Sequence, residues 1–158
     1  MRPIKYILTL LTLTALTLTA QAQDFRDREL SLQSYYQVQL EDLGHVDQAT
    51  GDGIGIGATY YHTRNIGLAA SALVGEHFDG ILDQAAVGLR LRYPLGPVAP
   101  YVLADVIYDF RTDAESYLIG GGLEYRFAGH VAVFGEVGRR LDYAGPDLTA
   151  RVGVGWSF

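Results

Sequence analysis

The sequence predicts an all-β fold, an eight-stranded antiparallel up-and-down transmembrane β-barrel over residues 23–158. Three observations predict it. The hydrophobic period beyond residue 23 is two, carried by eight segments of about ten residues, the length a tilted strand needs to cross a bilayer. One face of these segments is apolar, while the other holds glycine, glutamine and paired charges. A soluble barrel would bury the apolar face, and in water an outward apolar face would be a continuous exposed band. In lipid that band is the solvated surface. The connections also alternate between tight and long, as expected when short turns lie on one side of a membrane and loops on the other.

The segment ahead of the strands reads as a signal peptide, residues 1–22. Arg2 and Lys5 form a positive head, Ile7 to Leu18 is apolar apart from threonines, and Ala20-Gln21-Ala22 offers small residues where a signal peptidase cuts. The apolar run is too short to span a bilayer. Glycines and charges interrupt every later apolar run, so entry into a membrane must use strands, whose backbone groups are satisfied only by closure. The charged stretch Gln23–Glu29 is expected to be a short leader.

In the first strand Leu30, Leu32, Tyr36, Val38 and Leu40 alternate with Ser31, Gln33, Tyr35, Gln37 and Gln39. The second sets Ile54, Ile56, Ala58 and Tyr60 against Gly53, Gly55, Gly57 and Thr59. Ile66, Leu68, Ala70, Ala72 and Val74 share one face of the third. The fourth opposes Ala85, Val87, Leu89, Leu91 and Tyr93 to Ala86, Gly88, Arg90 and Arg92. The fifth offers Val102, Ala104, Val106 and Tyr108 against Asp105. The sixth has Tyr117, Ile119, Leu123, Tyr125 and Phe127 against Gly120, Gly122, Glu124 and Arg126. Val131, Val133 and Val137 oppose Ala132, Phe134, Glu136 and Gly138 in the seventh. The last strand is the clearest: Leu148, Ala150, Val152, Val154, Trp156 and Phe158 alternate with Thr149, Arg151, Gly153, Gly155 and Ser157. Tight turns are expected at Thr63–Asn65, Pro94–Pro97 and Ala128–Gly129, and acidic loops at Glu41–Asp52, Glu76–Leu82, Phe110–Glu115 and Leu141–Asp147. Closure requires the first strand to pair with the eighth, near Leu32–Leu40 and Ala150–Trp156.

Composition narrows the function. The chain has no cysteine, so thiol and disulfide chemistry are excluded. Of 12 cationic and 18 anionic side chains, loss of Arg2 and Lys5 leaves 10 against 18, a net charge of −8 for the mature form. An acidic chain with scattered arginines argues against nucleic-acid binding. Gly53-x-Gly55-x-x-Ala58 matches a loose dinucleotide pattern, but strand alternation runs through it where a helix is needed. Of the histidines, His45 and His77 fall in predicted loops beside Asp47 and Asp79, and His62 and His130 near turns. No pair has metal-ligand spacing on one strand face, so no metal or cofactor is expected. Ser71 and Ser116 have no histidine neighbour in sequence, which argues against an acyl-transfer site and for a protein that is not an enzyme.

Inward parity gathers Arg90, Arg92, Asp105, Glu124, Arg126, Glu136 and Arg151, four cations and three anions, in a space filled largely by side chains. These can pair into a plug, since an isolated charge there would be costly. Tyr60, Tyr93, Tyr125, Phe127 and Trp156, with Phe158, end their strands at one rim and read as a periplasmic aromatic girdle. Arg139 has outward parity near the opposite rim, where it can meet lipopolysaccharide phosphates.

On the signal peptide, the alternating segments, Gly120–Phe127, Phe134–Glu136 and the final Val-Gly-Val-Gly-Trp-Ser-Phe, the chain resembles the outer-membrane β-barrel family of OmpA-like transmembrane domains and opacity-type proteins. Ala85–Pro97 through Gly122 is also similar to small barrels of the YfaZ type. The resemblance implies the outer membrane of a Gram-negative bacterium, membrane lipids and lipopolysaccharide as surroundings, and a terminal aromatic, Phe158, that the barrel assembly machinery recognises. It implies no cell-wall tethering. The expected function is an integral outer-membrane barrel, a monomer with a structural or surface-interaction role and a plugged lumen. A narrow channel for ions or small solutes and a lipid A-modifying enzyme are the alternatives.

Overall fold

A computed structural model of the chain describes residues 25–40, 49–75, 82–127, 130–141 and 148–158. Eight strands follow one another in chain order: β1 (Glu29–Leu40), β2 (Ala49–Tyr61), β3 (Ile66–Gly75), β4 (Gln84–Arg92), β5 (Val98–Asp109), β6 (Ala114–Arg126), β7 (Val131–Leu141) and β8 (Leu148–Ser157). Each pairs antiparallel with its neighbours, and β1 pairs with β8 from Ser31↔Ser157 to Leu40↔Leu148, so the barrel closes without an edge. The seam lies where strand parity alone requires it.

The register fixes the wall. Leu32 lies between Ala58 and Trp156, and Ile56 between Ser34 and Ala72, so outward residues meet outward residues around the barrel. Ile56, Leu68, Val87, Val152 and Trp156 are half or more exposed on this wall. Burial of such side chains favours folding by roughly 1.5–3 kcal/mol each in water. Here they stay outside, so a lipid environment replaces that term.

The lumen departs from expectation. It is not only glycine, glutamine and charge. Tyr101, Leu103, Ile107 and Leu118 pack with Ala86, and Tyr35 packs with Leu73 and Phe134, all buried. Both faces of β5 are apolar apart from Asp105 and Asp109, so its alternation hides an apolar inward row at Tyr101, Leu103 and Ile107. Glycines on neighbouring strands make room for the inward rings. A Cβ at Gly55 would lie 2.1 Å from Cζ of its direct partner Tyr35, and one at Gly153 2.7 Å from Cζ of Phe134.

The start of β1, the end of β8 and the turns at Thr63–Asn65 and Pro94–Pro97 lie at one end, the near rim. Gly96 takes φ +63° in the Pro94–Pro97 turn, a conformation that costs glycine nothing. The far end differs from the expected loops in two places. β2 begins at Ala49, within the expected first loop, and β5 and β6 are joined by only Phe110–Asp113. Residues 41–48, 76–81, 128–129 and 142–147 lie outside the described residues.

Candidate functional site

Eight of the charged side chains buried inside the barrel fall into two clusters, and Asp109 and Arg140 lie apart from them toward the far end. The first closes the near mouth. The expected leader is not a leader: Glu29 opens β1 and is buried, and Phe25 is buried with it. A turn at Arg26–Glu29 brings the chain back on itself, with the Arg26 N–H donating to Glu29 Oε2 at 3.2 Å and Arg28 held at φ +54°. That left-handed backbone costs a non-glycine residue of order 1 kcal/mol, so the contacts around it must hold it. They do. Arg92 Nη1 donates to Glu29 Oε1 at 2.9 Å, and Arg126 Nη1 to Glu29 Oε2 at 2.7 Å. Arg126 Nε donates to Glu124 Oε1 at 3.0 Å, and Arg92 lies 3.8 Å from Glu124 Oε2. The Phe25 ring sits 4.6 Å from the Arg92 guanidinium and 4.0 Å from that of Arg126. Arg92 also stacks 3.4 Å from the Tyr61 ring centroid and donates Nε–H to the Arg64 carbonyl at 2.6 Å. One arginine thus ties together the N-terminal turn, the β2–β3 turn, β4 and β6.

The second cluster lies deeper. Arg90 forms a two-pronged pair with Asp105, its Nη2 3.1 Å from Oδ2. Arg151 Nη1 lies 3.5 Å from Asp105 Oδ2 and 2.8 Å from Glu136 Oε1. Glu136 and Arg151 are direct cross-strand partners on β7 and β8. Arg151 Nε–H donates to Gln37 Oε1 at 2.6 Å, and the Tyr101 hydroxyl donates to Glu136 Oε2 at 2.9 Å. All four ionised groups are buried. Each cluster pairs two arginines with two carboxylates, so each is neutral as a unit.

All seven inward charges named from parity lie in these clusters, Arg92, Glu124 and Arg126 in the first and Arg90, Asp105, Glu136 and Arg151 in the second. Glu29, Asp109 and Arg140 are buried inward charges that the seven leave out, although the parity of Glu29 with Ser31 and Gln33 was available. Toward the far end, Gln84 Nε2 donates to Asp109 Oδ2 at 3.1 Å, and Asp109 Oδ1 accepts the backbone N–H groups of Arg111 and Thr112 at 3.0 and 3.2 Å. Arg140 also faces inward there and is buried.

On the outside, Tyr60, Tyr93, Trp156 and Phe158 are exposed around the near rim, and Tyr125 and Phe127 are half-buried and stacked at 6.5 Å. His130 stacks on Trp156 at 6.2 Å and its Nδ1 lies 2.7 Å from the Ser157 carbonyl. His45, Asp47, His77 and Asp79 lie outside the described residues. Between the clusters and the far end remains an interior cavity of about 10 Å³ beside Tyr35, Gln37, Leu73, Gln84, Ile107 and Arg151. That is room for about one water.

Comparison with known proteins agrees with this geometry. The family described as outer membrane protein beta-barrel domain matches residues 8–158. No curated protein matches the sequence. Among solved structures, a de novo designed transmembrane β-barrel superposes with a TM-score of 0.67 at 17% identity, covering 86% of this chain and 100% of that one. The N-terminal β-barrel domain of Pseudomonas aeruginosa OprF gives 0.62 at 18% identity, covering 84% and 99%. Yersinia pestis Ail, in a phospholipid bilayer nanodisc, gives 0.55 at 15% identity, covering 84% and 100%. These likenesses speak for the fold.

Proposed function

The chain belongs to the outer membrane protein beta-barrel domain family, and from that premise we propose that it serves the outer membrane of a Gram-negative bacterium as a monomeric structural and surface-interaction barrel. Its lumen is plugged by side chains, and it carries out no catalysis. The observation that carries this reading is the content of the lumen. Two neutral charge clusters and an apolar layer line the described interior, and the cavity beside Gln37 and Arg151 has room for about one water. The four arginines of the two clusters are bound to carboxylates, so they have no free charge with which to draw an ion through. Catalysis by acyl transfer needs a serine beside a histidine. Ser71 and Ser116 have inward parity on β3 and β6, whereas His62 and His130 are exposed at the near rim, His130 against the Ser157 carbonyl.

In this reading the near rim faces the periplasm and the acidic far end faces outward. Partners are membrane lipids and lipopolysaccharide, with Arg139 on the wall near the far rim as a phosphate contact, and the assembly machinery, which reads Phe158. Residues 1–22 are removed after Ala22.

Planar-bilayer recording tests the plug. The purified barrel should show no sustained conductance steps. Stable, ion-selective openings would replace the plug with the narrow channel. Comparison of lipid A masses with and without the protein should show no difference, and a new or missing acyl chain would establish the enzyme instead.

A further inference from the structure

The apolar wall is not uniform. Two shallow furrows, wide open to the surroundings, lie on either side of Leu32. One, of about 590 Å³, lies over the small residues Ala58, Ala70 and Ala72 and is bounded by Ile56. The other, of about 350 Å³, is bounded by Val131, Val154 and Trp156. Leu32 pairs directly with Ala58 on one side and with Trp156 on the other, so it forms the ridge between them.

β1 leads from this ridge straight to the near rim, through Leu30 to Arg28. Arg28 is exposed, is held at φ +54° by the turn that docks Glu29, and has no ion-pair partner among the described residues. Arg26 and Arg64 are exposed at the same rim. Among the described residues the exposed anionic side chain facing them there is Asp27, whose carboxylate already accepts the Arg64 N–H at 2.6 Å, while the Phe158 carbonyl takes the Leu30 N–H. At the far rim Asp113 and Glu115 are exposed beside Arg111 and Arg139, so cations do not predominate there among the described residues.

We propose that this face of β1 binds one diacyl phospholipid, its two acyl chains lying in the furrows that flank Leu32 and its phosphate on Arg28. Three features agree on that ligand. The furrows are almost wholly apolar and paired, which suits two chains on one headgroup. The Arg28 guanidinium, without an ion-pair partner among the described residues, lies just ahead of β1 at the rim, where a charge-assisted hydrogen bond to a lipid phosphate is stronger than in open water. The Arg28 backbone is fixed by buried contacts, so little conformational freedom is lost on binding. The proposal rests on the membrane-spanning reading and not on the plug, and conductance does not bear on it.

Native mass spectrometry of the full barrel released from detergent tests it, with heat-modifiable migration confirming that each variant is folded. The probes are dioleoyl phosphatidylglycerol, dioleoylglycerol and inorganic phosphate. One phosphatidylglycerol should be retained per barrel, dioleoylglycerol about tenfold more weakly, and inorganic phosphate not at all. Arg28→Gln should cost about tenfold for phosphatidylglycerol and leave dioleoylglycerol unchanged, and Arg28→Lys should restore most of the loss. Ala70→Phe, which fills one furrow, should weaken both lipids. Retention unaffected by Arg28→Gln and Ala70→Phe, or a variable number of lipids without preference, would overturn the site. A dimer abolished by Ala70→Phe would mean that a second copy covers this wall, and equal retention of inorganic phosphate would mean a rim anion site without the furrows.

Discussion

Glu136 illustrates what a single residue does in the lumen. It accepts from Arg151 and from Tyr101, both within hydrogen-bond distance, and is itself buried. Removing it strands Arg151 and leaves the Tyr101 hydroxyl without an acceptor. Glu136→Ala should destabilise the refolded barrel by roughly 3–5 kcal/mol, the usual cost of breaking a buried pair from one side. A double change of Glu136 and Arg151 to apolar residues should recover part of that loss, since no charge is then left uncompensated. Urea unfolding in detergent measures both, and a neutral Glu136→Ala would mean a hydrated lumen. Gly88 sets a second limit at this scale. A Cβ there would lie 2.0 Å from Asp105 Oδ1 and 2.3 Å from the Ala104 carbonyl, so Gly88→Ala must displace the Arg90 partner or the strand. About 1–3 kcal/mol of destabilisation is expected. Gly135→Ala, whose Cβ would meet nothing nearer than 3.9 Å, should stay within about 0.5 kcal/mol of the wild type. Parity alone named seven interior charges, because charge on an inward position needs no neighbour to be recognised. It did not name Tyr101, and it placed Gln37 inward without its bond to Arg151, because both matter only through their partners across the lumen.

At the scale of elements, the two ends of the chain behave differently. β8 was legible to the residue, since Leu148–Phe158 alternates without a break and its partner strand follows from closure. The start of β1 was not. A charged run before a strand reads as solvated leader, and only three-dimensional closure brings Glu29 within reach of Arg92 and Arg126, 63 and 97 residues away. Phe25→Ala removes the buried ring against which both guanidinium groups pack and should cost about 3–5 kcal/mol in the same unfolding assay, the range for a buried phenylalanine. Retained stability would mean that Glu29 alone holds the turn. Phe158 should behave in the opposite way. It is exposed at the end of β8 and adds little packing. Its deletion should lower the amount of barrel inserted in cells while refolding in detergent stays near normal. Equal loss in both assays would assign it to packing instead. The loop lengths were the least legible feature, because Asp109 and Ala114 extend β5 and β6 into residues whose polarity reads as turn.

Taken as a whole molecule, the barrel was legible because its outer surface obeys one rule: outward residues along the span are apolar on every strand, with few exceptions such as Ser34. The inner surface obeys no such rule. It must fill a fixed volume and cancel its charges, and leucine or arginine can each serve if the opposite wall complies. That is why the wall was read correctly and the apolar part of the lumen was not. Expression of the full chain and N-terminal sequencing of the outer-membrane fraction should give Gln23 as the first residue. A start at Met1 would remove the signal-peptide reading and leave residues 1–22 to be accommodated beside the mouth that Phe25 closes.

The neutrality of the two lumenal clusters has an electrical consequence. A transmembrane potential does work of about 2.3 kcal/mol per elementary charge for each 100 mV crossed. A cluster of two arginines and two carboxylates that moves as a unit carries no net charge across the field, so voltage cannot pull it open or drive it shut. The barrel should therefore be as silent at high applied voltage as at low, with either polarity. Glu29→Gln would leave the near cluster with one uncompensated positive charge, and transient openings should then appear under one polarity and not the other.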